Sequence, residues 1–84
     1  MPEPIRVRTL FFGVYGELAA ARETDTELPG GSTVADLVEV LRGARGWDWI
    51  PERVVVAVNQ AYAGRATALA DGDEVALIPP VAGG

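Results

Sequence analysis

The chain contains no cysteine, no histidine and no lysine. Without cysteine there is no disulfide, no thiolate metal site and no thiol nucleophile. Without histidine the usual general base and the commonest metal ligand are gone, and a Ser/His/Asp set cannot be built. All seven basic residues are arginines, so no Schiff base can form and no side chain here can accept a ubiquitin-like modifier. They form no basic run, and the net charge is −5, the opposite of the footprint that nucleic acid requires. No apolar run approaches the roughly 20 residues of a membrane span, and no segment has a signal-peptide pattern. The expected setting is therefore the cytoplasm, with neither nucleic acid nor membrane as a partner.

Carboxylates are the one plentiful reactive group, twelve in all. Their close sets are Asp71 with Asp73 and Glu74, and Asp25 with Glu27. These fall in a turn and on an expected edge strand, where solvated surface charge is the ordinary role. Asp71-Gly72-Asp73 lacks the other ligands of a calcium loop. Gly30-Gly31 lacks the Gly-Lys-Ser/Thr that completes a phosphate loop. No metal site is expected.

With 84 residues, 49% apolar and 23% charged, the chain has the make-up of one small globular domain that needs no staple. Ile5 to Phe12 reads as a strand with Arg6 and Arg8 on one face and Ile5, Val7, Thr9 and Phe11 on the other. From Leu10 onward both faces are apolar, so this end is either covered twice or left open for a partner. After Gly13, Val14 to Ala21 predicts a short helix with Tyr15, Leu18 and Ala19 on one side. Arg22 to Leu28 alternates charge with threonine as an edge strand does, and Pro29-Gly30-Gly31 ends it. Thr33 and Asp36 have the spacing of a helix cap, with Ser32 competing. Val34, Leu37, Val38 and Leu41 then give one buried helical face, ended by Gly43 or Gly46. Trp47 to Pro51 is an irregular connection in which at least one indole caps the core beneath this helix. Val54 to Val58 reads as a strand covered on both faces. Asn59-Gln60 turns into a short strand at Ala61 to Ala63, and Asp71-Gly72-Asp73 turns into a last strand, Glu74 to Ile78, that Pro79 ends. The sum is an α+β domain over residues 1–80, a mixed sheet with helices to one side, followed by an extended, flexible tail at 81–84.

That tail is the most informative stretch. The sequence closes on Pro79-Pro80-Val81-Ala82-Gly83-Gly84. Two prolines favour an extended backbone, and a Gly-Gly tip without Cβ atoms enters a channel too narrow for other residues. The bland alternative is a frayed end. A main-chain carboxylate on such a tip can be joined to AMP, which supplies the leaving group it lacks. A sulfur donor can then displace the AMP and leave a nucleophilic thiocarboxylate. A carrier of this kind needs no reactive side chain of its own.

Val56-Ala57-Val58-Asn59-Gln60, and the run Leu69-Ala70-Asp71-Gly72-Asp73-Glu74-Val75-Ala76-Leu77-Ile78 that leads into the two prolines and the Gly-Gly end, resemble the MoaD/ThiS-type ubiquitin-like sulfur carriers. Leu10-Phe11-Phe12 before a short helix is similar as well. Within that group the Pro-Pro ending is closer to molybdopterin synthase small subunits than to thiamine sulfur carriers. The resemblance implies a β-grasp fold: a mixed sheet of about five strands around one main helix, with a short helix after the first strand and the first and last strands parallel at the centre. It implies that Gly84 is the reacting residue, first as a glycyl adenylate and then as 1-thioglycine. Pro80, Val81, Ala82 and Gly83 would thread the partner's channel. It implies an ATP-using, ubiquitin-activating-type adenylyltransferase, a sulfur donor, and a molybdopterin synthase large subunit in a heterotetramer. There the sulfur is passed to cyclic pyranopterin monophosphate, and two loaded carriers build one dithiolene. This chain would bind no cofactor and act as the non-catalytic, sulfur-donating subunit. Phe12, Tyr62 and Ile78 match apolar docking positions of the family. An arginine that some relatives carry in the stretch matching Val14 to Glu17 is missing, so that polar contact is either lost or made by another residue, with Arg8 a candidate. Competing readings keep the carrier but change the pathway (thiamine, cysteine, siderophore or tRNA), or make the chain a protein modifier or an interaction module.

Overall fold

A computed structural model describes residues 3–80 of the chain. Seven elements follow in order: β1 (Ile5–Phe11), α1 (Val14–Ala19), β2 (Glu23–Leu28), α2 (Val34–Arg42), β3 (Val55–Val58), β4 (Ala61–Ala63) and β5 (Glu74–Ile78). The five strands form one sheet in the order β2-β1-β5-β3-β4. β1 and β5 run parallel, with Thr9 opposite Val75 and Phe11 opposite Leu77, and every other pair is antiparallel. This is the β-grasp arrangement that the resemblance implies, with the first and last strands adjacent at the centre.

Strand periodicity gives the sheet two unlike faces. Val7, Phe11, Leu28, Val56, Val75 and Leu77 point inward and are buried against Val34, Leu37, Val38 and Leu41 of α2. The four helix positions are those that the sequence spacing selects. α2 starts on a complete capping box. The Asp36 amide donates to Thr33 Oγ1 (3.3 Å), and the Thr33 amide donates to Asp36 Oδ2 (2.8 Å). The next two free amides of the first turn, Val34 and Ala35, donate to the carbonyls of Thr67 and Arg65, each at 3.0 Å. The long β4–β5 connection is thus tied to the helix by hydrogen bonds the helix itself leaves open. At the far end Arg45 donates to Thr24 Oγ1 (2.8 Å) and to the Asp25 carbonyl (2.6 Å), fastening that end to the edge strand β2.

Three local expectations are corrected. α1 ends at Ala19, and Leu18 is 53% exposed while Tyr15 and Ala19 are buried. A helix of six residues covers too little of the sheet end to bury a third apolar side chain. Val55 is 50% exposed, so β3 is not covered on both faces, and its apolar run reports an open face. The first strand ends at Phe11, leaving Phe12 beyond it. Both tryptophans close the core, Trp47 edge-on to Phe11 at 4.9 Å and Trp49 against Tyr15 at 5.3 Å.

Thr9 and Thr26 face the core from neighbouring strands, and neither buried hydroxyl has a hydrogen-bond partner among the described residues. Thr9→Val is expected to raise stability by about 1 kcal/mol, since an unmatched buried hydroxyl is replaced by a methyl group. Thr33→Ala is expected to lower it by about 1 kcal/mol through loss of the cap. Urea unfolding of the two variants beside the parent chain checks both signs.

Candidate functional site

The outward face of the sheet is laid out in rows across the strands. The first row is charged: Asp25, Arg8 and Glu74 lie side by side on β2, β1 and β5. The second is small and apolar at its middle, running Leu10, Ala76, Ala57, Tyr62 across β1, β5, β3 and β4. The third is bulky: Ile78 lies opposite Val55, with Phe12 one step beyond the Phe11–Leu77 pair. Alanines in the centre and large side chains around them leave a hollow of about 520 Å³ bounded by Phe12, Tyr62 and Ile78. Gln60 and Glu74 are the polar residues in its lining.

All three residues singled out from the sequence as docking positions therefore meet in one place. Phe12 is 48% exposed and Tyr62 80%, and Ile78 is half-buried. Tyr62 is held out by the β3–β4 hairpin, whose two turn residues, Asn59 and Gln60, both have positive φ (50° and 73°), as a tight two-residue hairpin requires. Asn59 ties the hairpin to β5: its side-chain amide donates to Asp73 Oδ1 (2.9 Å), and its oxygen accepts from the Glu74 amide (3.0 Å).

The hollow borders the point where the chain leaves the sheet. Gly13 has φ 54° and ψ −132°, a conformation open to glycine alone. A Cβ at this position would lie 3.4 Å from Pro79 Cγ, so the first tail proline rests beside the β1–α1 turn. Pro80 is exposed. Val81, Ala82, Gly83 and Gly84 lie outside the described residues.

Arg8 does not stand free as a substitute for the missing arginine. Its Nε lies 3.0 Å from Glu23 Oε2 and 3.4 Å from Asp25 Oδ1. Two of the turn carboxylates are structural: Asp71 Oδ1 accepts from the Arg6 amide and Asp73 Oδ2 from the Ala70 amide, both at 2.8 Å. Among the described residues no group of three or more metal-ligating side chains converges, and no helix is long and apolar enough to cross a membrane. Leu10, which begins the stretch that the sequence leaves either covered twice or open for a partner, belongs to this face, and so do Val55, Ala57 and Ala76, which the sequence does not mark as site residues. Only the strand register, Ala57 opposite Ala76, brings the two alanines together.

The sequence profile of the ThiS family matches residues 9–84. The chain belongs to the ThiS family. It is 45% identical over 85 residues to the molybdopterin synthase sulfur carrier subunit of Mycobacterium tuberculosis, covering 95% of this chain and 99% of that one. Among solved structures it resembles small archaeal modifier protein 1 of Haloferax volcanii, with a TM-score of 0.81, 28% identity, and 92% and 99% of the two chains covered. It also resembles a chain in the complex of subunits 1 and 2 of the molybdopterin-converting factor from Helicobacter pylori, with a TM-score of 0.69, 25% identity, and 95% and 100% covered.

Because Phe12 and Tyr62 are open to solvent, Phe12→Asp and Tyr62→Asp are expected to fold, each shifting the melting temperature by less than about 4 °C. Leu77→Asp, placed on the opposite face at 0% exposure, is expected to unfold the chain. Thermal melts followed by circular dichroism compare the three.

Proposed function

We propose that this chain is the sulfur-carrier subunit of a molybdopterin synthase and works in the cytoplasm. The observation that carries the reading is the apolar hollow of Phe12, Tyr62 and Ile78 beside Pro79, in a chain 45% identical to such a subunit. A carrier must present a docking surface and a reactive end together, so that one binding event delivers the other.

In this reading the Gly84 carboxylate attacks the α-phosphorus of ATP on a ubiquitin-activating-type enzyme, and pyrophosphate leaves. Sulfur from a donor then attacks the glycyl carbonyl and AMP leaves, which gives the thiocarboxylate. The sheet face docks on the large subunit while Pro80 to Gly84 enters its channel, and the sulfur is passed to cyclic pyranopterin monophosphate. Two loaded carriers serve one dithiolene in a heterotetramer. The chain supplies no catalytic side chain, in keeping with its lack of histidine, cysteine and lysine; ATP is the activating partner's substrate. The likeness to the H. volcanii modifier favours a second reading, in which Gly84 is joined to a lysine of another protein.

Deleting Gly84, or adding one residue after it, is expected to leave folding unchanged and to abolish sulfur loading. One residue of extended chain spans roughly 3.3–3.6 Å, comparable to the about 3–3.5 Å separation of reacting atoms. The measurement is intact mass after incubation with the activating enzyme, ATP and a sulfur donor. The parent chain should gain the mass of one oxygen exchanged for sulfur. Equal gain by the deletion variant would sink the proposal, and conjugates of higher mass in place of the thiocarboxylate would support the modifier reading.

A further inference from the structure

Among the described residues that line the apolar hollow, Glu74 is the only carboxylate, and it is half-buried before anything docks there. Its backbone is held rigidly: the amide donates to Asn59 Oδ1 (3.0 Å), and its carbonyl accepts from the Asn59 amide (2.8 Å). The carboxylate itself has no ion pair or hydrogen bond among the described residues. Arg8, its cross-strand neighbour, is taken by Glu23 and Asp25. Around it this face carries Glu23, Asp25, Glu27 and Asp71 with Arg6 and Arg8, and Arg53 lies at its β3 side near Val55 and Tyr62. Counting Glu74, five carboxylates stand with three guanidinium groups, a formal charge of −2.

A partner seated over the hollow strips water from this carboxylate. A charge covered without a counter-charge opposes association strongly, and one met by a donor cation gains a short, charge-assisted hydrogen bond. A second copy of the chain is a poor occupant, because it brings the same net-negative face to meet its like. We infer that the large subunit places an arginine or lysine against Glu74, so that recognition joins an apolar contact at Phe12, Tyr62 and Ile78 to one cation at the edge of the hollow. This rests on the docking reading above and names the chemistry of the surface that docks.

The test is calorimetric titration of the chain into the large subunit from the same host, with Glu74→Gln and Glu74→Lys beside the parent. Gln keeps the size of the side chain and leaves the Asn59 bonds to the backbone intact, and circular dichroism confirms that each variant is folded. Glu74→Gln is expected to bind about tenfold to a hundredfold more weakly, and Glu74→Lys more weakly still. Unchanged or tighter binding by Glu74→Gln overturns the inference, since removing an unmatched charge from an interface helps association. If the parent chain does not bind the large subunit at all, the docking reading fails and this inference falls with it. Sedimentation of the chain alone should show a monomer. A dimer strengthened by Glu74→Gln would assign the hollow to a second copy and overturn the proposal.

Discussion

The parallel pairing of β1 with β5 is the constraint on which everything else in this domain depends. It joins the two ends of the sequence at the middle of the sheet, so neither face can form until the last strand is in place. Inward, the pair supplies Val7, Phe11, Val75 and Leu77 to the core beneath α2. Outward, it sets Leu10 beside Ala76 and brings Phe12 level with Ile78. It also determines where the tail departs, because a strand bound parallel to β1 must leave the sheet where β1 turns into α1. Contacts this distant in sequence form slowly relative to helices and hairpins.

α2 is the part of the fold most plainly written in the sequence. Its capping box, its apolar spacing and its glycine stop are all local signals, and local chemistry decides them. The strand positions of Val7, Thr9 and Phe11 were legible for the same reason, since alternation is a two-residue pattern. Leu18 and Val55 were not. Their exposure depends on how much sheet a six-residue helix covers and on whether a second layer exists, and neither quantity is local. An apolar run has the same appearance whether it is buried by its own chain or left open.

The candidate site divides along the same line. Phe12, Tyr62 and Ile78 were found through family resemblance, whereas the hollow between them comes from two alanines that only strand register brings together. Nor does the sequence show that Arg8 is already engaged. Alternation puts it on the outer face, but its partners, Glu23 and Asp25, come from a strand whose register is set by pairing. With Arg8 neutralised in place, Glu74 is left as an unmatched charge at the edge of an apolar surface.

The outer strands limit how this protein can be recognised. β2 presents alternating charge along one edge, and β4, at three residues, is too short to template another strand on the other. Backbone-to-backbone strand addition, which is tolerant of side-chain identity, is thereby closed off. A protein that reads this domain meets side chains rather than a free strand edge, so selectivity rests on shape and charge. Two proteins that both read the open face would compete for it, and the chain would pass from one to the other only through the free state, at a pace set by how fast the first lets go.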